Sequence, residues 1–397
     1  MAFNAVKVKM LPTFLLLLLL NLGLVITDRP QVRLPFSKND WRYQAYARLM
    51  RQGFEDAITL ARVVLLTGRD CDPEFLRYFQ HQDFEFVQSI FARIANIEPP
   101  KDHNPADTLA LLSTFDMDAT LSPYWSKIMM TFGDYPRVPA DIQPSRGCGA
   151  YQDNLLNSKN AYLIYDARAP RPDNWDFQGS CYMILCPQGE LFNFRLDLAG
   201  TENPPAWARD AQGNPKTGWG CSGLGDRDTG YMRPIGSTVL HELLHCPDIF
   251  EGVPNYDTVI YDRQHYGWKF NIIRKIIDYP PNDRSYGPWK SANLNRQPAD
   301  PTTGHSISIQ NVDNYVWYAT SKYWSWKCGR SFGPATSHAD NNLHISRGWV
   351  PAPQQPGRPQ RGGNPQVAAQ VDIDRRSLPG NLSAIAELLL DTGFEWE

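Results

Sequence analysis

The segment TVLHELLHCPDIF, Thr238 to Phe250, carries two histidines, His241 and His245, four residues apart, with Glu242 directly after the first. On an α-helix, residues i and i+4 share a face and stand about 6 Å apart along the axis, so both rings can point a nitrogen at one ion. Imidazole nitrogens bind zinc, and a catalytic zinc takes three protein ligands and leaves one position for water. Glu242, turned off the ligating face, suits a general base that deprotonates that water. Leu240, Leu243 and Leu244 supply the helix with an apolar side. The plainer alternative, a solvated helix with two surface histidines, sits badly with such apolar flanks.

Two imidazoles are half of a site, and the rest of the chain narrows what completes it. The extended form H-E-x-x-H-x-x-G-x-x-H needs glycine and histidine where this chain has Asp248 and Glu251. A glutamate from a later helix is also disfavoured, because after Glu251, only six residues past His245, the next glutamate is Glu387. Aspartate or histidine is therefore expected to finish the site: Asp257, Asp262, Asp278 and Asp283 are in range, with His265 and His305 as imidazole alternatives. Asp262 and His265 cluster in YDRQHYGW, and Asp283 lies in PPNDRSYGPWK, where Pro280-Pro281 and Gly287-Pro288 enforce a loop.

At these residues the sequence resembles the aspzincins, the deuterolysin-like zinc metalloendopeptidases secreted widely by fungi and related to lysine-specific metalloendopeptidases. In that family the H-E-x-x-H helix is followed by G-T-x-D-x-x-Y-G, and Asp283-Arg284-Ser285-Tyr286-Gly287 fits D-x-x-Y-G, with Pro280-Pro281 in place of Gly-Thr. NVDNYVWYA (311–319) is similar to the family's N-A-D-x-Y-x-x-F-A helix, and DAITLA (56–61) and FLRYF (75–79) look like its early helices. The likeness runs loosely over 40–330 and is specific over 237–320. It implies Asp283 as third zinc ligand and Tyr286 facing the substrate carbonyl; Asp262 or His265, whose cluster does not fit the motif, is the alternative offered by the residues themselves. It also implies a secreted peptidase acting on proteins or peptides.

The elements that must hold these groups are legible from periodicity. Residues 39–66 and 73–97 carry apolar side chains at threes and fours, which predicts two helical stretches packed on a core. The runs AYLIYD (161–166) and CYMILC (181–186), set among Pro, Asn, Asp and Gly, predict a small sheet. A Gly-rich loop, 218–230, leads into the metal helix, for which Ser237 or Thr238 is the expected cap. The expectation is an α+β, zincin-like, mainly helical domain over 28–350. A Pro/Gly linker follows over 351–380, and a tail over 381–397, in which Leu382 to Leu390 could dock as a helix.

With 397 residues, 42% of them apolar, the chain can bury a sizeable core, and a net charge of -3 without a basic run makes nucleic acid a poor partner. Lys7 and Lys9 before a Leu-rich run, with polar sequence from Asp28, predict a signal peptide over 1–27; an uncleaved anchor is the alternative. Seven cysteines follow, an odd count that in an exported chain leaves one unpaired. Cys246, next to His245, is a candidate for it, although a buried, small apolar side chain is the favoured reading. The sequon Asn381-Leu382-Ser383 is compatible with export. The crowd Trp317, Tyr318, Tyr323, Trp324 and Trp326 admits a rival function: a secreted peptide- or carbohydrate-binding module with a degenerate zinc centre. The plainer reading of that crowd is core.

Overall fold

The computed structural model describes residues 29–97, 110, 112, 122–133, 138–139, 142, 148, 161–170, 177–186, 197–260, 274–279, 285–341 and 343. Helix α1 (Trp41–Thr67) opens on Asp40, whose carboxylate accepts the Arg42 N–H at 2.9 Å and so satisfies one of the helix's unpaired first-turn donors. Its apolar stripe, Met50, Phe54, Ala57, Ile58, Ala61, Val64 and Leu65, is buried. The second predicted helical stretch is two helices, α2 (Pro73–Tyr78) and α3 (Phe84–Ala95), because the chain turns between them through His81–Asp83. Further on come the metal helix α4 (Ile235–Leu244), α5 (Pro288–Leu294) and α6 (Val312–Cys328).

The predicted strands form, as β3 (Ala161–Tyr165) and β4 (Cys181–Leu185), and two more join them: β1 (Gln31–Arg33) and β2 (Ile128–Phe132). The sheet order is β1-β2-β4-β3, with β1, β2 and β4 parallel and β3 antiparallel at the edge. The two inner strands, IMMTF and CYMIL, are buried throughout, as their uninterrupted apolar sequence requires when both faces are covered. Along β4, Cys181, Met183 and Leu185 face the main core, whereas Tyr182 and Ile184 meet a smaller one with Phe177 and Val138. The fold is thus α+β.

Helix α4 lies against α1 and, on another side, against the edge strand β3. Two glycines allow the helices to approach so closely. A Cβ on Gly236 would stand 2.3 Å from Cβ of Asp56, and one on Gly53 would stand 2.9 Å from Val239 Cγ2. The helix starts earlier than the sequence suggests: Pro234 occupies the cap position, and the Ser237 hydroxyl, inside the first turn, donates to the Pro234 carbonyl at 2.7 Å. Proline's fixed φ and missing N–H suit a helix start, which is why it displaces Ser237 and Thr238 from that role.

Six cysteines pair, Cys148–Cys186, Cys181–Cys246 and Cys221–Cys328. Cys246 is therefore not the odd thiol; the unpaired one is Cys71, which is exposed. Cys246 follows the C-terminal cap of α4, and its Cα stands 5.9 Å from that of Cys181 at the start of β4. The aromatic crowd on α6 is core: Trp317, Tyr318 and Trp324 are fully buried, Tyr323 nearly so, and Trp326 is partly covered. Among the described residues no helix is long and apolar enough to cross a membrane. The leader over 1–27, the linker over 351–380, and the tail with its sequon lie outside the described residues.

Candidate metal centre

His241 sits in the last turn of α4 and His245 at its C-terminal cap, with ring centroids 5.0 Å apart and planes at 81°. Both rings are held from behind. His241 Nδ1 donates to Asp313 Oδ1 at 2.9 Å, and His245 Nδ1 donates to the Ile276 carbonyl at 2.9 Å. A carbonyl only accepts, so the His245 proton resides on Nδ1 and its Nε2 keeps a lone pair; Asp313 imposes the same tautomer on His241. The two Nε2 atoms then meet a carboxylate. Asp278 Oδ1 stands 3.1 Å from Nε2 of His241 and 3.5 Å from Nε2 of His245. It is buried and takes no well-formed hydrogen bond. Three ligand atoms, from His241, His245 and Asp278, lie within 4.8 Å of one another, a grouping that could hold a metal ion.

Local pairing explains how Asp278 arrives. Ile277 bridges to Asn311 in parallel fashion, with Ile277 N–H on the Gln310 carbonyl at 3.0 Å and Val312 N–H on the Ile277 carbonyl at 3.0 Å. The Asn311 side chain adds a bond from Tyr279 N–H at 3.1 Å. The segment carrying Asp278 is therefore zipped to the start of α6, which also carries Asp313. Farther along, Ser285 Oγ donates to the Tyr279 carbonyl and Ser291 Oγ to the Ser285 carbonyl, and these bonds close the loop in front of α5. Gly287 follows at φ +90°, and its N–H donates to Asp313 Oδ2 at 2.6 Å. Asp313 thus joins the metal helix, the loop and α6 through its two oxygens.

Tyr286 stacks over His241, centroids 5.9 Å apart and planes at 27°, and its hydroxyl lies near enough to Asp278 to feel its charge. The residue is 37% exposed, so its ring borders solvent while its hydroxyl turns inward. Burial of that end, and then the charges of Asp278, Asp313 and Glu242, hold the phenol protonated far above its ordinary range. Glu242 is buried and close enough to Tyr286 to act on it through space.

The electrostatics call for a cation. Burial opposes charge on His241, yet Asp278 and then Asp313 outweigh it and raise the imidazole well above its usual range. Burial likewise opposes ionisation of Asp278, but His245 and His241 hold the carboxyl well below the usual range. Two nitrogens and one carboxylate oxygen, with both rings already held by Asp313 and the Ile276 carbonyl, suit a divalent ion with a nitrogen preference.

Of the other sequence candidates, Glu251 and Asp257 are exposed and His305 is bonded to Asp83 at 3.0 Å, away from the site. Asp283, Asp262 and His265 lie outside the described residues. The carboxylate between the described rings is Asp278, one of four aspartates in range on sequence. Asp313 went unassigned on sequence, although NVDNY was the motif that carried it. Comparison with family models, with curated proteins and with solved structures finds no match to this chain.

Proposed function

We propose that this chain is an exported zinc metalloendopeptidase of zincin-like fold. The observation that carries the reading is the convergence of His241, His245 and Asp278 on the helix that also presents Glu242. Both imidazoles are locked by bonds to Asp313 and Ile276, which is how metal ligands are usually oriented. Three disulfides fit an oxidising compartment.

His241, His245 and Asp278 would hold a Zn²⁺, which would supply the Lewis acidity that acidifies water and polarises a peptide carbonyl. Glu242 takes the proton of the attacking water and passes it to the amine as the C–N bond breaks. Tyr286, kept protonated by its surroundings, donates to the oxyanion of the tetrahedral state. Asp313 keeps His241 in the tautomer that presents Nε2. The rival reading, a catalytically degenerate secreted binding module, draws nothing from the α6 aromatics Trp317, Tyr318, Tyr323 and Trp324, which are buried.

The test is zinc content and chelator-reversible casein hydrolysis by the full chain. Glu242→Gln is expected to keep zinc and lose turnover; normal hydrolysis by this variant would sink the assignment. Asp278→Ala is expected to lose both. Retention of zinc by Asp278→Ala together with its loss in Asp283→Ala would transfer the ligand role to Asp283.

A further inference from the structure

Arg233 stands just ahead of α4, after the turn Gly230–Met232, and is half-buried. Its guanidinium carbon lies 5.9 Å from the centroid of Trp317, and its charge acts on Asp313. Yet Arg233 Nε is buried with no acceptor, and no ion pair or hydrogen bond engages the guanidinium among the described residues. Asp313 makes no hydrogen bond or ion pair with it; its oxygens accept from His241 and Gly287. Arg77, by contrast, is bonded to Asp228 and the Phe332 carbonyl, and Arg62 to the Ala95 carbonyl, whereas Arg93, which also leaves a buried nitrogen without an acceptor, lies over the Tyr124 ring at 4.1 Å.

A partly desolvated guanidinium with unbonded donors is costly, and arginine's planar fork is shaped for a carboxylate. Acidic groups of the protein already crowd the metal side: Asp278, Asp313 and Glu242. Among the protein's own side chains there, Arg233 is the one that offers a carboxylate supplied from outside unbonded donors.

We propose that Arg233 is a specificity-determining residue that binds a carboxylate of the peptide substrate, either an acidic side chain or the free C-terminus. The proposal rests on the metallopeptidase reading and deepens it. Arg233 stays clear of the reacting atoms and selects substrates by pairing, bidentate, with a carboxylate at the rim of the metal centre.

The experiment measures peptide binding, so that it does not depend on turnover. The full chain, zinc-loaded and carrying E242Q, is titrated with three peptides of one core sequence: neutral and amidated, neutral with a free C-terminus, and acidic and amidated. At least one carboxylate-bearing peptide is expected to bind tenfold or more tightly than the neutral amide. Which one does so tells terminus from side chain. Adding R233Q is expected to bring that ratio within about twofold, and R233K to leave an intermediate preference, because lysine keeps the charge without the fork. R233K also decides the matter if R233Q does not fold, as judged by its melting transition.

Equal affinities in the presence of bound zinc overturn this inference alone. A preference that survives R233Q does the same, as does parallel weakening of all three peptides with loss of zinc, which would make Arg233 a support for Asp313. Absence of zinc from the unaltered protein overturns the metallopeptidase reading, and this inference with it.

Discussion

Asp313 lies 72 residues beyond His241 in the chain, and its Oδ1 nevertheless accepts the His241 Nδ1 hydrogen at 2.9 Å. Its other oxygen accepts the Gly287 N–H at 2.6 Å. One buried carboxylate therefore sets both the tautomer of a candidate metal ligand and the path of the loop carrying Tyr286. Because the side chain touches no ligand position itself, it acts through His241 and through the Gly287 N–H.

Asp313→Asn is expected to weaken zinc binding about 10–100-fold while leaving the fold in place. The amide cannot accept at both positions as an ionised carboxylate does. Competition with a zinc-sensitive chelator dye measures this, and an unchanged affinity would remove Asp313 from the metal centre.

Gly287 is at φ +90°, a region that L side chains avoid, and an added Cβ would stand 2.4 Å from Asn341 Cγ. That asparagine accepts the Trp289 N–H at 2.9 Å and so caps the start of α5. Gly287→Ala is expected to cost about 1–3 kcal/mol in denaturant unfolding and to loosen zinc, because the strain falls on the N–H that holds Asp313. Unaltered unfolding and unaltered zinc affinity would contradict this account.

Asp56, buried where α1 meets α4, accepts the Leu198 N–H and the Gln52 amide, and its carboxyl is pushed up to about 8, chiefly by burial. The folded protein thus holds this proton more tightly than the unfolded chain, whose carboxyl titrates near 3.8. The stability the proton brings is complete below the unfolded value, and it is lost as pH rises through the window up to about 8, with a slope approaching about 1.4 kcal/mol per pH unit. Asp56→Asn removes the titration. Its stability relative to the parent is therefore expected to climb from pH 4 to pH 8 and then level off. A difference independent of pH in parallel melts would refute the assignment.

All seven cysteines are accounted for, so unreduced native protein is expected to take one alkyl group, on Cys71, in peptide mapping by mass spectrometry. Replacing Cys181 and Cys246 together is expected to cost about 4 kcal/mol, from the entropy of the 65-residue loop their bond closes. Labelling of Cys246 in native protein would contradict the pairing.

Much of the frame was legible without coordinates. The helical stretches 39–66 and 73–97 and the strands AYLIYD and CYMILC follow from local periodicity, and each appears within a few residues of its expected place. The break at His81–Asp83 was not legible, because the apolar spacing continues across it although the chain turns. Strands β1 and β2 were missed because Gln31–Arg33 is too short to show alternation, and Ile128–Phe132 becomes a strand only by pairing with β4. The α6 aromatics show helical spacing, and only their neighbours on α1 and α2 decide that they are interior.

The same division runs through the candidate site. By itself, the sequence determined the pair His241 and His245 with Glu242 between them, since one helical turn sets their separation whatever surrounds it. It also narrowed the third ligand to an aspartate or a histidine, because no glutamate lies within reach. Which aspartate faces the rings, which cysteine stays free and what holds His241 upright were decided by tertiary structure. Asp278, Asp313 and Cys181 reach the metal helix through a short parallel bridge at Ile277 and Asn311, through the start of α6, and through the packing of the sheet against α4. Contacts between residues so far apart along the chain depend on how whole elements stack, and no local spacing encodes that.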